Sequence, residues 1–152
     1  MLEFAHAVTG GFIAGKINNP YVALPLALIS HFVIDLLPHW NPSILKEKQK
    51  YGHLKKKTLA IIFFDSCLGL FFGLVLAFGK FPDINQMLLV LGGCFMGILP
   101  DLVEAPFFLL NNKYFSLKPL IKFQSSHQFN VSFEIGMLFQ ILFTLLLLLL
   151  AF

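Results

Sequence analysis

Two histidines and an aspartate recur at intervals of four residues in the segment 30–40. Residues four apart lie on one face of an α-helix, so His31, Asp35 and His39 are expected to project in the same direction. Ionisable groups within an apolar segment are costly and are usually kept for a task. Because imidazole nitrogen and carboxylate oxygen suit Zn, Mn or Fe, the segment predicts a site for a divalent metal, with Zn as the first choice.

The same segment contains a proline that can break the helix. At a rise of about 1.5 Å per residue, His31 and His39 are about 12 Å apart on a continuous helix, too far to share one ion. Pro38 has no N–H and leaves the carbonyl of Ile34 without its helical partner. A break at Pro38 is therefore the condition under which all three side chains reach one ion.

Five further ionisable side chains lie in or beside the other apolar segments. Three protein ligands with one open position allow a bound water to act as nucleophile, while surplus groups serve as general base or proton carriers. The predicted metal ligands are His31, Asp35, His39, Asp101 and His6. The predicted catalytic groups are Glu104, Asp65 and His127.

The elements that must position these groups are membrane helices. The chain is 57% apolar and 12% charged, with a mean hydropathy of +0.79, which excludes an ordinary soluble domain. It predicts an all-α, multi-pass transmembrane bundle in a single domain, 1–152. We expect four full spans, at 21–40, 59–78, 87–110 and 133–152, plus a short N-terminal apolar helix at 4–17, packed closely through small residues. A weak internal repeat relates 21–42 to 85–106.

The basic residues predict which side of the membrane these groups face. All eleven are lysines, concentrated in the loops 41–57 and 111–130, which the positive-inside rule assigns to the cytoplasmic side of the inner membrane. The absence of arginine argues against nucleic-acid binding. The expected partners are membrane lipid and anionic headgroups at these loops. In this orientation all eight candidate groups lie at one depth, which predicts a polar pocket at the inner leaflet.

Three short motifs resemble those of a known family. They are HAVTGG beginning at His6, HFVIDLLPH beginning at His31, and GILPD ending at Asp101. Together they resemble the YdjM-like bacterial inner-membrane proteins, which have an N-terminal His and a Leu-Pro-Asp-x-Asp-His motif and are described as membrane-bound metal-dependent hydrolases. The resemblance implies a small multi-helix membrane domain with that activity. The family's second Asp and His fall on Val103, which has no donor atom, and on Glu104, which keeps a carboxylate.

Three functions are compatible with these residues. The first is metal-dependent hydrolysis of a lipid or lipid-linked ester or phosphoester at the cytoplasmic leaflet, because a pocket at that depth meets lipid headgroups first. The second is an ion- or proton-coupled small membrane transporter that uses the same groups as a relay. The third is a non-catalytic membrane subunit or lipid-docking protein, in which a buried polar network fixes helix register.

Overall fold

The predicted helical membrane bundle is confirmed. A computed structural model describes residues 1–109 and 117–152, which contain α-helices and no β-strand. In chain order the helices are α1 (Glu3–Lys16), α2 (Pro20–Ile34), α3 (Ile44–Tyr51), α4 (Lys56–Phe78), α5 (Ile84–Leu109), α6 (Lys118–His127) and α7 (Phe133–Ala151).

Three of these helices are long and apolar enough to cross a membrane. They are α4, α5 and α7, with 23, 26 and 19 residues. Their outward faces carry exposed large apolar side chains such as Phe64, Leu88 and Leu149. Such a surface suits contact with lipid rather than water.

The second predicted span is a shorter apolar helix than expected, beside the three helices of spanning length among the described residues. Helix α2 has only 15 residues and ends at Ile34, several residues before the predicted end of the span. Pro38 has no N–H for the carbonyl of Ile34, and that carbonyl instead accepts from Leu37 in a tighter turn, at 3.0 Å. The predicted break is therefore present and begins before the proline.

Helix α1 lies inside the bundle, packed against α2, α4, α5 and α7. Its approach to α5 depends on small residues, as the sequence predicts. A Cβ atom at Gly97 of α5 would collide with the carbonyl oxygen of His6, and one at Gly10 of α1 would collide with the carbonyl of Gly93. The two backbones can therefore touch, which places side chains of α1 directly against α5.

The two lysine-rich segments, predicted as loops, contain helices. Helix α3 lies in the first, and α6 in the second, where it turns Ile121 and Gln124 toward the interior. Residues 111–116 of the second segment, including Lys113, lie outside the described residues, as does residue 110 at the end of the third predicted span.

Candidate metal centre

Two imidazoles from neighbouring helices face each other inside the bundle. The rings of His6 on α1 and His31 on α2 are stacked, with centroids 3.9 Å apart and an interplanar angle of 19°. Both side chains are fully buried. The close approach of α1 to its neighbours is what carries His6 to this position.

Asp101 completes a group of three donors. One donor atom from each of His6, His31 and Asp101 lies within 4.8 Å of the other two. The separation between Nε2 of His31 and Oδ1 of Asp101 is 3.7 Å. Ligands held at about 2.0–2.2 Å from a Zn ion lie about 3–4 Å from one another, so this spacing is close to that of a metal site.

Asp35 lies among three histidines, just after the end of α2. Its Oδ1 atom is 3.3 Å from Nε2 of His6 and 3.9 Å from Nε2 of His39, and its Oδ2 atom is 3.9 Å from Nε2 of His31. The α-amino group of Met1 also contacts Oδ1, so this buried carboxylate already has a cationic neighbour. Asp35 thus joins His39 to the two stacked histidines, while among the described residues only His6, His31 and Asp101 form a group with ligand atoms mutually within 4.8 Å.

Backbone carbonyls fix the orientation of two of the imidazoles. His31 donates from Nδ1 to the carbonyl of Gly97, and His39 donates from Nδ1 to the carbonyl of Leu37, each over 2.8 Å. Each Nε2 atom is then left with a lone pair, the arrangement that orients histidines in metal sites. Burial lowers the pKa of His39, which keeps this imidazole neutral at pH 7.

Several ring nitrogens of the cluster that could bind a metal have no hydrogen-bond partner among the described residues. Both ring nitrogens of His6 and Nε2 of His39 are buried without a hydrogen-bond partner among the described residues. Buried polar atoms are rarely left in this state. Neutral nitrogens beside the carboxylates of Asp35 and Asp101 fit a divalent cation that accepts both donor types.

No family model, curated protein or solved structure matches the chain.

A short parallel bridge brings His39 to the cluster. The N–H of His39 donates to the carbonyl of Phe129, and the N–H of Val131 donates to the carbonyl of His39. The N–H of Phe129 also donates to the carbonyl of Asp35. The segment before α7 therefore holds the chain that follows α2, and residues about 90 apart in sequence fix the position of His39.

Gln124 is a site residue that the sequence did not identify. Its Nε2 atom lies 2.9 Å from Nε2 of His31 and 2.9 Å from Oδ1 of Asp101, and it donates to both. Its Oε1 atom is buried without a partner among the described residues. The only sequence signal is its place three residues after Ile121 on one face of a helix, which does not separate a polar site residue from a packing residue.

The three predicted catalytic residues have different surroundings. Glu104 is buried, one helical turn after Asp101, and its Oε1 atom has no partner among the described residues. Asp65 accepts hydrogen bonds from the backbone N–H groups of Glu3 and Phe4, at 2.7 and 3.0 Å, and thereby caps the start of α1. Of these two, only Glu104 has a carboxylate oxygen available for other chemistry.

His127 lies on the outer surface of α6. Its ring is exposed, packs at 4.3 Å on the ring of Phe123 and donates from Nδ1 to the Phe123 carbonyl. None of the ion pairs or hydrogen bonds found among the described residues joins it to the cluster. These contacts account for its position without a role in the site.

A cavity of about 440 Å³ adjoins the cluster. Asp101 and Gln124 belong to both, and Asp65 and Glu104 lie in the cavity wall. The remaining wall includes apolar side chains from α4, α5 and α6, among them Ile62, Phe108 and Ile121. The cavity therefore suits a molecule with both polar and apolar parts, which can reach the cluster at Asp101 and Gln124.

Proposed function

We propose that the cluster binds one divalent metal ion, Zn first with Mn or Fe as alternatives, and that the protein is a membrane-bound metal-dependent hydrolase. The substrate class is a lipid or lipid-linked ester or phosphoester. The observation that supports this proposal is the convergence of His6, His31 and Asp101 to within 4.8 Å, beside buried nitrogens that lack hydrogen bonds.

The roles of the residues follow from their positions. His6, His31 and Asp101 hold the ion, with Asp35 and His39 as further ligands or as partners that neutralise its charge. A bound Zn²⁺ supplies Lewis acidity and lowers the pKa of water to about 7. Gly97 and Leu37 fix the imidazole tautomers through their carbonyls.

Glu104 is the proposed proton carrier. Its free Oε1 atom lies in the cavity wall next to Asp101, where it can accept a proton from the attacking water. The water oxygen then forms a bond to the carbonyl carbon or the phosphorus, and the bond from that atom to the leaving oxygen breaks. Glu104 returns the proton to the leaving oxygen, so that one water is consumed and the carboxylate is regenerated.

The membrane setting supports a lipid substrate. Helices α4 and α5 are long and apolar enough to cross the bilayer, and both contribute to the cavity wall. We assign the lysine-rich segments to the cytoplasmic side of the inner membrane by the positive-inside rule, which puts the cavity at the inner leaflet. Membership of the YdjM-like family is part of the proposal and rests on the three short motifs.

Elemental analysis of the purified protein tests the metal centre. We expect about one equivalent of Zn, Mn or Fe in the unchanged chain, and loss of most of it in Asp35→Asn and Asp101→Asn, which keep side-chain size but remove a charge. Glu134→Gln is the matched control, because Glu134 is an exposed acid in the first turn of α7. Metal content that is unchanged in both aspartate variants would end the proposal.

The reaction class needs a separate measurement. Release of fatty acid or phosphate from lipid vesicles, dependent on added metal and lost in Glu104→Gln, supports hydrolysis. Metal-dependent ion flux in proteoliposomes with no lipid turnover would instead favour transport, and full function in every variant of the cluster would favour a non-catalytic subunit.

A further inference from the structure

The cavity beside the cluster has an extensive apolar wall. Its apolar side chains come from three helices and are Ile61 and Ile62 of α4, Ala105 and Phe108 of α5, and Ile121 of α6. The next two residues of α4, Phe63 and Phe64, have side chains on the outward face that are about two-thirds exposed. One turn of α4 therefore contributes both to the cavity and to the lipid-facing surface, which places the cavity at the level of the membrane.

The volume limits what the cavity can hold. At about 440 Å³ it lies in the lower part of the range for ligand pockets, about 300–1,000 Å³. This suits one acyl chain with a small polar part rather than a complete two-chain lipid.

Lys46 of α3 provides the positive charge at the cavity. It is the only cationic side chain among the described residues that line the cavity, it is exposed, and it has no ion-pair or hydrogen-bond partner among them. The neighbouring wall carries small polar groups, including Ser43 and Asn41. A lysine beside hydroxyl and amide groups matches a phosphate.

The carboxylates in the wall differ in what they can still bind. Glu3 accepts from the hydroxyl of Ser66, Asp65 accepts from two backbone N–H groups, and Asp101 accepts from Gln124. Glu104 alone combines deep burial with a carboxylate oxygen that lacks a partner among the described residues. Such an oxygen calls for a hydrogen-bond donor, for which a ligand hydroxyl is suitable.

We propose that the cavity binds a single-chain glycerophospholipid, with its phosphate at Lys46, its free glycerol hydroxyl donating to Glu104 and its acyl chain against the apolar wall. The three features of the cavity match the three parts of this ligand. A two-chain phospholipid exceeds the volume of the cavity and has no free hydroxyl on its acylated glycerol. The assignment of this lipid as substrate rests on the proposed hydrolase function, whereas its binding does not require the metal.

Trp40 allows the binding to be measured directly. It is the only tryptophan in the sequence, and it lines the cavity. A monoacyl glycerophosphate with a brominated chain should quench the fluorescence of Trp40 saturably in detergent-solubilised protein. A specific site in the cavity is expected to give quenching that saturates. General contact with brominated amphiphile in the micelle would instead give quenching that increases with its concentration without a specific limit.

Two pairs of variants locate the ligand. Ala105→Phe fills the cavity and should weaken binding at least about tenfold, whereas Val103→Phe, on the same helix but outside the cavity wall, should leave it unchanged.

The second pair tests the phosphate contact. Lys46→Gln should weaken binding of the phosphate lipid about tenfold and leave binding of a brominated monoacylglycerol unaffected. Lys50→Gln, an exposed α3 lysine outside the wall, is the control for overall charge. Since Lys46 is exposed, its replacement tests the proposal even if Ala105→Phe does not fold.

The results separate this inference from the metal centre. Quenching that does not saturate, or that is equal in all variants, would overturn lipid binding in the cavity. Metal content measured on the same samples decides the other proposal: bound metal without saturable quenching leaves the metal centre standing, and saturable quenching without metal leaves only the lipid site.

Discussion

Gln124 donates a hydrogen bond from Nε2 to Nε2 of His31 across 2.9 Å, which occupies the imidazole lone pair that a metal ion needs. The same amide nitrogen is bonded to Asp101. The amide therefore competes with a cation for the single Nε2 lone pair of His31. Metal binding at His31 requires that this bond be exchanged for a bond to the ion, whereas the carboxylate of Asp101 has further lone pairs for an ion.

Gln124→Leu should therefore destabilise the metal-free protein more than the metal-loaded protein. In the metal-free form the buried Nε2 atom of His31 and the part-buried carboxylate of Asp101 lose their donor. Loss of the buried bond alone costs about 1–3 kcal/mol, whereas a bound ion satisfies the same imidazole nitrogen. Thermal unfolding with chelator and with added Zn²⁺ measures the two losses. Ser125→Ala, at an exposed position on α6, is the control, and equal losses in both conditions would contradict the competition.

Asp65→Ala should lower stability and leave the metal content unchanged. The carboxylate caps α1 through the N–H groups of Glu3 and Phe4, and loss of a cap costs about 0.5–2 kcal/mol. Asp65→Asn keeps an acceptor oxygen and should recover part of this stability. If Asp65 instead carries protons in the reaction, Asp65→Asn will abolish turnover while the unfolding temperature stays unchanged.

Gly97→Ala should separate α1 from α5 and weaken metal binding. The added Cβ would meet the carbonyl oxygen of His6, and overpacking of this kind costs about 1–3 kcal/mol. The change also displaces the carbonyl that orients His31. Unfolding temperature and metal affinity should fall together.

The matched control for this prediction is Gly69→Ala on α4. There a Cβ would lie 3.5 Å from the nearest atom, Cα of Phe4, which is an ordinary contact. Loss of metal affinity in both variants to the same extent would mean that the effect is a general response to alanine in the bundle.

His127→Ala should leave metal content and turnover unchanged, whereas His39→Ala should reduce both. His127 is exposed and bonded to its own helix, while Nε2 of His39 is buried near Asp35. Metal content and lipid hydrolysis of the two purified variants provide the comparison. Strong loss of activity in His127→Ala would show that α6 brings this side chain to the site during turnover.

The identity of the cluster residues was predictable because of the cost of burying ionisable groups. His31, Asp35 and Asp101 interrupt apolar runs, and an imidazole or carboxylate in such a run must find polar partners. This cost depends only on composition and spacing, so the sequence indicated that these groups converge. It did not indicate the atoms through which they meet, or that His127 lies apart from them.

The length of α2 and the position of His39 were not predictable in the same way. Leu36, Leu37 and Trp40 are apolar, so the apolar residues of this segment extend beyond the end of the helix at Ile34. The actual end depends on the turn at Leu37 and on the bridge between His39 and Asn130. The backbone contacts of this bridge join residues that are far apart in sequence, and the local sequence pattern contains no information about them.

By itself the sequence determined the helical membrane bundle and the types of side chain in its interior, because lipid allows few backbone structures and penalises every buried charge. Only the tertiary structure decided that Asp65 caps α1, that Gln124 joins the cluster and that His127 stays outside it. Those outcomes depend on where packed helices bring individual atoms within about 3 Å, the range over which a hydrogen bond forms.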